Sequence, residues 1–456
     1  MKFSKNLKKM MAAVLAAMLF ILPITGCSVK VDSDKKSDTV ETQKPDKKDD
    51  QKSEGVGEPE NWAEHMNVIT LTSSSSTMKT LSFDEKLMEY LSGKKEGNFM
   101  ASPLSFRYAL GLLLAGAEGE TKAELLSALG VKDEQEWIDT CLRFNGFVEA
   151  YEKAFEDELA LYRDYVRHGY VPDDGNEPFM ALRVANSVWR NEKLNEKFTE
   201  NYTEKVSKNY AAEYRAFLPE NVVQKVNEWA SIKTEKMIEK LLPDDYDVTD
   251  LAVILMNALY FKDSWISEFY EGVTAEGDFT TKTGAVTKKE FMRQTDHFDY
   301  YKDDATELVV LPMNGNVNMV FVFGDTTGLA EKISKAESKK VDVKIPKLDL
   351  ETSLDQGELV DFLKECGVSL AFTEEADFSG MIGIPTCIGD IIQKTRIKLD
   401  EEGVEAAAVT AIMVQATGLP EPETVIPFYA DRPFSFYIYA NTNGEMATMF
   451  AGQIVE

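Results

Sequence analysis

The chain has 456 residues, of which 44% are apolar and 10% aromatic, with 27 glycines and 15 prolines. This composition excludes a collagen-like or fully disordered protein, and the length alone predicts two or three domains or one unusually large one. Acidic residues (78) outnumber lysines and arginines (50), so the formal charge is −28. Because this charge repels phosphate backbones, we do not expect nucleic acid to be a partner.

The first 26 residues have the pattern of an export signal. Four lysines precede the uncharged apolar stretch 10–22, which is too short to span a bilayer comfortably. The sequence Ile24-Thr25-Gly26-Cys27 then resembles the lipobox of bacterial lipoproteins. This resemblance implies cleavage before Cys27, acylation of its sulfur and anchoring to the bacterial cell membrane with the body outside. The alternative is an ordinary secretory signal followed by an incidental cysteine.

A polar tether follows the signal. Residues 28–60 consist mostly of Lys, Asp, Glu, Ser, Gln and Thr, and contain no aromatic residue. Such a segment cannot bury enough surface to offset its chain entropy. We therefore expect residues 27–76 to form a lipidated cysteine with a flexible spacer, and residues 77–456 to form the folded body.

The cysteines and histidines do not indicate a metal or a catalytic centre. Beyond Cys27 the chain contains Cys141, Cys366 and Cys387, with no C-x-x-C pair. We expect at least one unpaired thiol and expect these side chains to be buried as small apolar groups. None of the three histidines lies in an H-E-x-x-H motif or beside a G-x-S-x-G motif, and there is no glycine-rich phosphate loop. We therefore expect no metal and no cofactor, and no motif indicates an enzyme, although the residues alone leave a Ser/His/Asp triad open.

Helical signals open the folded body. Ser102-Pro103 is a helix start, since serine caps free amides and proline suits the first helical position. The following residues 104–115 are apolar nearly all round, so we expect that helix to lie in the core. Apolar and charged residues alternate at helical spacing over 193–209 and 222–242, which predicts two surface helices.

Strands are predicted in the second half of the chain. Residues 251–261 form an apolar run with one polar residue, Asn257, which is typical of a central strand covered on both faces. Such a strand implies a large sheet. Further strands are predicted at 307–312, 317–323, 341–346, 392–399 and 434–440.

Several sequence blocks resemble the signature blocks of the serpin family. The first three are NFMASPLS at 98–105, GAEGET at 116–121 and LMNALYFKDSW at 255–265. The match continues in serpin order at 345–348, 376–380, 401–408 and 431–434. The resemblance implies one large α+β domain instead of several: a large central β-sheet, smaller sheets, about eight or nine helices and an exposed reactive loop.

The segment 401–417 is ambiguous when it is considered without the family. Its alanines favour a helix. However, alternate residues from Val404 to Ala416 are small or apolar, whereas the other register holds Glu405 and Gln415, so the segment also suits a strand with one buried face. Alternation alone leaves both structures open.

The serpin resemblance identifies this segment as a reactive loop. In inhibitory serpins a target protease attacks the loop and forms an acyl-enzyme, and the freed segment inserts into the large sheet as a new strand. Insertion of about fifteen residues would carry the protease about 50 Å. The implied function is a monomeric suicide-substrate inhibitor without turnover chemistry. The alternative is a non-inhibitory surface lipoprotein with a binding, chaperone or adhesion role.

The resemblance also assigns site residues. We expect Val404 to lie at the base of the exposed loop, where a charged side chain would reach water. Where the sheet opens, the family has a polar cluster called the shutter, and at the upper end of the inserting strand it has a region called the breach; ordinary polar satisfaction in the core is the alternative for both. Gln393 stands where many serpins have histidine. The hinge residues are Glu401, Glu402, Gly403, Val404, Glu405, Ala406, Ala407 and Ala408. The shutter and breach residues are Ser102, Ser105, Asn257, Gln393 and Trp265, with Glu401 beside Trp265.

The reactive bond follows from spacing in the family. Counting about sixteen residues from Glu401 gives Thr417-Gly418, and counting backward from Phe428 gives Leu419 as the second candidate. The side chains before this bond are small and uncharged, and 403–420 contains no Lys or Arg. The expected target is therefore an elastase-like or subtilisin-like serine protease.

Overall fold

A computed structural model of the chain describes residues 78–169, 180–194, 196–248, 251–355, 357–389, 391–404 and 423–456. These residues contain eight α-helices, which agrees with the expected α+β class. The helices are α1 Ser82–Lys94, α2 Pro103–Leu114, α3 Gly119–Leu129, α4 Glu134–Arg167, α5 Glu200–Tyr210, α6 Val222–Lys233, α7 Leu329–Ser334 and α8 Glu358–Glu365.

The same residues contain sixteen strands, and the predicted strands are confirmed within a few residues. The first eight strands are β1 Lys79–Thr80, β2 Phe99–Ala101, β3 Ala181–Asn191, β4 Ala212–Phe217, β5 Val253–Ser264, β6 Ala275–Thr280, β7 Val286–Lys302 and β8 Thr306–Pro312. The others are β9 Val317–Gly324, β10 Glu337–Pro346, β11 Leu348–Leu354, β12 Gln393–Leu399, β13 Gly403–Val404, β14 Ile426–Tyr429, β15 Phe434–Asn441 and β16 Glu445–Ile454.

The described strands form two sheets. The six-stranded sheet has the order β11-β12-β13-β5-β3-β4. The ten-stranded sheet has the order β1-β16-β15-β9-β8-β7-β10-β14, with β2 paired to β16 and β6 paired to β7. Strand β5 contains residues 253–261 of the apolar run 251–261 and continues to Ser264, and it lies between β13 and β3 inside the six-stranded sheet, as expected for a central strand.

Helix α2 joins the two sheets through the main core. Ser102 caps it by accepting a hydrogen bond from the backbone N–H of Ser105, and Pro103 is its first residue, as predicted. Apart from Ala109, all its residues are buried. A separate apolar cluster, which includes Trp189, Trp229 and Met256, lies between α6 and the six-stranded sheet. This sheet is therefore covered on both faces.

The two predicted surface helices are shorter than expected. Helix α5 begins only at Glu200, because Thr199 caps it and Phe198 pairs with Ile382 in a β-bridge. Helix α6 ends at Lys233, where Glu235 and Lys236 adopt left-handed backbone angles (φ 48° and 69°). A non-glycine residue in that conformation costs about 1–2 kcal/mol, so the reversal must be imposed by packing.

Helix α4, with 34 residues, was not predicted. Its buried residues recur at helical spacing, at Trp137, Cys141, Phe144 and Tyr151. The helix runs from α2 to the end of β5, where the Tyr151 hydroxyl donates to the Lys262 carbonyl over 3.1 Å. None of the described helices combines the length and the apolarity that a bilayer crossing requires.

Candidate functional site

The two hinge residues of β13 are already part of the six-stranded sheet. Val404 pairs with Leu399 of β12 on one side and with Asp263 of β5 on the other, and Gly403 pairs with Ser264. Both pairings are antiparallel. In the described part of the chain, no strand pairs with this edge of β5 between residues 253 and 262. The site is therefore the boundary between β12 and β5, with β13 at its upper end.

Gly403 is required at this junction. Its φ of 153° lies outside the range that L side chains adopt readily, and a Cβ atom there would lie 2.2 Å from the Asp263 carbonyl oxygen. No other residue can bring the hinge backbone this close to β5 without distortion.

Val404 is not where the sequence analysis placed it. Its side chain is 3% exposed and belongs to the main core. The expectation that a charged side chain at this position reaches water before cleavage is therefore wrong. The cause is the pairing of β13 with both neighbouring strands, which turns Val404 towards the interior.

Gln393 and Ser102 form a twofold clamp at the lower part of the site. The Gln393 side-chain oxygen accepts from the Ser102 backbone N–H over 2.8 Å, and its amide nitrogen donates to the Ser102 carbonyl over 2.9 Å. The Ser102 hydroxyl donates to the Met449 carbonyl over 2.6 Å. This clamp ties β12 to α2 and to the ten-stranded sheet.

The same network continues from α2 to β5. The Ser105 hydroxyl donates to the Asn257 side-chain oxygen. Asn257 donates to Asn186 of β3 over 2.5 Å, and Asn186 donates to the Tyr210 carbonyl over 2.7 Å. The structure thus brings Ser102, Ser105, Asn257 and Gln393 into one polar network, which we call the shutter network. Asn186 also belongs to it, and the sequence analysis missed this residue.

Trp265 and Glu401 lie at the upper end of the site. The Trp265 backbone N–H donates to the Glu402 carbonyl over 2.9 Å, and its indole N–H donates to the Asp400 carbonyl over 3.1 Å. Glu401 is 4% exposed. Its carboxylate accepts a hydrogen bond from the Thr274 hydroxyl over 2.6 Å and forms an ion pair with Lys347 over 2.8 Å. These contacts fix the chain that leads into β13.

The carboxyl groups around the hinge differ in their pKa. Burial raises the pKa of Asp263 to about 7, although the N–H groups of Gly315 and Ser264 donate to it. Burial, and then the nearby Glu402 carboxylate, raise the pKa of Glu268 to about 7. Burial alone would also raise the pKa of Glu401, but hydrogen bonds from Lys347 and Thr274 outweigh it and lower that pKa. Of these three carboxyl groups, Glu401 is the one whose charged form is stabilised by its surroundings.

The chain that follows the loop is held in the ten-stranded sheet. The Glu423 carboxylate lies 3.1 Å from Nε2 of the His297 ring. Strand β14 pairs with β10, and the Tyr429 hydroxyl donates to Asp342 over 2.6 Å, where Arg293 also binds in a bidentate pair. The described residues on both sides of the loop are thus anchored.

The remaining expected site residues lie outside the described residues. These are the lipidation residue Cys27, the hinge residues Glu405, Ala406, Ala407 and Ala408, and the reactive-bond residues Thr417, Gly418 and Leu419.

The three body cysteines are free thiols. Cys141 is buried as expected, but Cys366 is half-buried and Cys387 is exposed, so burial was wrong for Cys387. Within the described ranges, no group of three or more His, Cys, Asp and Glu side chains is placed to hold a metal ion.

Comparisons with known proteins agree with this architecture. The chain is similar to Serpin-ZX of Arabidopsis thaliana, with 27% identity over 79% of this chain and 93% of the relative. It is also similar to Iris of Ixodes ricinus, with 30% identity over 79% of this chain and 92% of the relative. The solved structure of Serpin48 from the insect Tenebrio molitor matches with a TM-score of 0.63 and 26% identity, covering 82% of this chain and 96% of that chain.

A family model described as "Serpin (serine protease inhibitor)" matches residues 78–456. That match covers most of the chain and spans all of the described residues. It agrees with the resemblance seen in the sequence blocks and with the fold. The chain therefore belongs to the serpin family.

Proposed function

We propose that this serpin is an inhibitor of serine proteases that acts as a suicide substrate. The observation that carries the proposal is β13, because Gly403 and Val404 already form the first pairs of a strand between β12 and β5. An inhibitory loop must enter the sheet at this point. Cleavage of the loop would allow the same strand to grow downward.

The register of β13 determines what that growth would bury. Val404 faces the main core, so continued alternation would turn Ala406, Ala408 and every second residue down to Ala416 inward. This set is apolar except for Thr410, which is small. A strand with this buried face loses little by desolvation, which supports an inhibitory loop over a non-inhibitory one.

The register also gives Thr410 a defined destination. Counting from the pairs Val404–Asp263 and Val404–Leu399, Thr410 would lie opposite Asn257 of β5 and opposite Gln393 of β12. These two residues belong to the shutter network. The only polar side chain of the inward-facing set would therefore meet the polar groups that can satisfy it.

The chemistry of the proposal belongs to the target protease. Its serine oxygen attacks the carbonyl carbon of Thr417, the bond to the Gly418 nitrogen breaks, and the new Gly418 amine takes up the proton, which leaves an ester between protease and inhibitor. Extension of the strand from Val404 to Thr417 would then carry the ester about 45 Å. This displacement would distort the active site of the protease before the ester is hydrolysed.

The target class follows from the loop sequence. Residues 414–417 read Val-Gln-Ala-Thr, and no Lys or Arg occurs over 403–420. This favours elastase-like or subtilisin-like proteases and disfavours trypsin-like ones. We further propose that acylated Cys27 anchors the monomer to the bacterial cell membrane, with the tether holding the body outside; the lipobox-like sequence supports this proposal.

The experiment is incubation with a panel of neutrophil elastase, pancreatic elastase, subtilisin and trypsin. A complex that survives denaturing electrophoresis is expected with elastases or subtilisin. Mass spectrometry should find the fragment 418–456, or a fragment shifted to Leu419 if that bond is used. The fragment contains β15 and β16, which lie inside the ten-stranded sheet, so it must be analysed after denaturation. Proteases that cleave the loop and all stay active would contradict inhibition and favour the non-inhibitory alternative.

A further inference from the structure

Three exposed apolar side chains occur within eight residues on the segment that follows β5. Ile266, Tyr270 and Val273 are 61%, 57% and 50% exposed. Isolated exposed apolar residues are common, but three within eight residues form a patch that favours contact with another protein. We call these three residues the pole patch. The Tyr270 ring also lies against Gly272, where a Cβ atom would be 2.5 Å from the ring. The ring is therefore already restricted and would lose little conformational freedom on binding.

The pole patch is attached to the chain that enters the reactive loop. The backbone N–H groups of Trp265 and Phe269 donate to the carbonyls of Glu402 and Glu401 over 2.9 and 2.8 Å. Glu402 lies two positions before Val404, the last described residue of the hinge. The patch therefore lies beside the N-terminal side of the loop.

The pole patch is also connected to the chain that leaves the loop. The Ser267 hydroxyl donates to Asp296 over 3.0 Å, and the next residue, His297, contacts Glu423 over 3.1 Å. The pole patch is therefore linked, through Ser267, Asp296 and His297, to the chain that leaves the loop.

This position brings the pole patch within reach of a docked protease. Thr417 is six residues before Glu423, so the reactive bond can lie at most about 22 Å from that anchor. A protease domain of roughly 230 residues has a radius of gyration of about 17 Å. An enzyme of that size bound at Thr417-Gly418 would extend over the surface around Glu423.

The surroundings of the pole patch are acidic. Glu271 is exposed on the same segment, and Glu268 and Glu402 lie close enough for the charge of Glu402 to raise the pKa of Glu268. Carboxylates that repel one another gain from a cationic partner. A complementary surface would combine apolar and basic side chains.

We propose that Ile266, Tyr270 and Val273, with Glu271 beside them, form a second contact surface for the target protease and select enzymes with apolar and basic side chains next to the active-site cleft. The proposal rests on the proposed inhibitory function. The pole patch does not pair with the inserting strand, so it sets the rate of docking and not the efficiency of trapping.

The test compares Ile266→Ala, Tyr270→Ala and Glu271→Lys with the unchanged protein. The probes are neutrophil elastase, which is strongly cationic, and subtilisin. We expect each variant to lower the association rate constant with neutrophil elastase at least about fivefold at low salt, with the Glu271→Lys effect shrinking as salt is added. The number of inhibitor molecules consumed per protease should stay unchanged.

The matched control is Tyr214→Ala. Tyr214 is 56% exposed, almost the same as Tyr270. It lies on β4 opposite Val188, and Val188 in turn pairs with Leu255 of β5. Leu255 is nine residues, or about 30 Å, from the end of β5, so Tyr214 is far from the pole patch.

Two failures are distinguishable. If stable complexes form but the pole-patch variants react as fast as Tyr214→Ala with both proteases, the second contact surface is refuted while inhibition stands. If the unchanged protein forms no stable complex with any protease, inhibition fails and the proposal falls with it.

Discussion

Val404 of the hinge is paired with Asp263 at the end of β5 and is buried in the uncleaved chain. In an antiparallel pair, opposed residues project from the same face of the sheet. The Val404 side chain therefore lies next to a buried carboxyl group. This neighbour decides which substitution at position 404 tests loop insertion.

Val404→Glu should convert the protein from an inhibitor towards a substrate. A second carboxylate beside Asp263 is expected to expel the hinge from the sheet, because a buried charge without a partner costs several kcal/mol. The number of inhibitor molecules consumed per protease should rise severalfold, while the initial rate of loop cleavage stays the same. Val404→Thr is the uncharged control, and adding Asp263→Asn should restore part of the trapping. An unchanged consumption number would refute the hinge register.

Arginine is a poorer probe at this position. Val404→Arg would place a cation next to Asp263, which offers it a partner. Glu405→Arg would not serve as a control for a charge at position 404. The β13 register would set residue 405 between Lys262 and Lys398 in the inserted strand. Glu405→Gln avoids bringing three cations together.

Thr410→Val should weaken the cleaved form selectively. If Thr410 reaches Asn257 and Gln393 on insertion, loss of its hydroxyl removes the hydrogen bonds it adds to these amides, which costs about 0.5–1.5 kcal/mol. The denaturant midpoint of the cleaved protein should fall, and that of the uncleaved protein should stay the same. Thr410→Ser retains the hydroxyl and serves as the control. Equal midpoints for cleaved Thr410→Val and cleaved unchanged protein would contradict the extrapolated register.

Gln393→Ala should destabilise the uncleaved protein. The substitution leaves the buried Ser102 N–H without its Gln393 partner, while the Ser102 carbonyl keeps only its hydrogen bond from the Phe106 N–H. A drop of several degrees in the thermal midpoint is expected at a fixed heating rate. Gln393→His should give an intermediate midpoint, because one imidazole nitrogen cannot replace both amide contacts. If Gln393→Ala melts with the unchanged protein, the clamp has no energetic role.

Stability should rise on mild acidification from pH 8 to pH 6. The folded-state pKa of Asp263 is raised by burial to about 7 from the ordinary 3.8, so the folded state binds the proton more tightly and loses stability as pH rises through this interval. Asp84, whose pKa burial raises to about 6, contributes in the same direction. Differential scanning fluorimetry of the unchanged protein and Asp263→Asn measures this, and the variant should show the smaller pH effect.

The trend should reverse in stronger acid. Hydrogen bonds from Lys332, and then from Thr327, lower the pKa of Asp325 to about 2, so its contribution is lost as pH falls towards that value. A midpoint that falls continuously from pH 8 to pH 6 would contradict the assignment for Asp263.

Cys27→Ala should release the protein from membranes. If the lipid on Cys27 is the anchor, cells expressing the variant should contain the protein only in soluble fractions or in the medium. Membrane fractionation with an antibody to the body measures this, and metabolic labelling with an alkyne fatty acid should mark only the unchanged protein. Retention of Cys27→Ala in the membrane fraction would refute the lipoprotein assignment.

The sequence was most informative where local chemistry determines the structure. Ser102-Pro103 specifies its helix start through capping, and the apolar run around Asn257 specifies a buried strand. The assembly of Ser102, Ser105, Asn257 and Gln393 was expected from family resemblance alone, because these residues are brought together by tertiary packing. No sequence pattern indicated that Asn186 belongs to the shutter network. Its place there depends on the pairing of β3 with β5, which periodicity cannot predict.

Other errors have a tertiary origin. Helix α6 stops at Lys233 although the helical pattern continues, since the left-handed Glu235 and Lys236 are imposed by the surrounding packing. The docking of Val404 into the sheet depends on pairs with residues 141 positions earlier and five positions earlier in the chain, Asp263 and Leu399. No local pattern distinguishes a hinge that is docked from one that is exposed.

The two ends of the folded body are neighbours in the ten-stranded sheet, and this affects how the protein is made. Strands β1 and β2 pair with β16, and the Ser102 hydroxyl bonds to the Met449 carbonyl, 347 residues later in the chain. At 5–20 residues per second, the ribosome needs roughly 20–70 s to synthesise that interval. The edges of β1 and β2 therefore stay without their partner strand until synthesis is nearly complete, which leaves them open to aggregation during that interval.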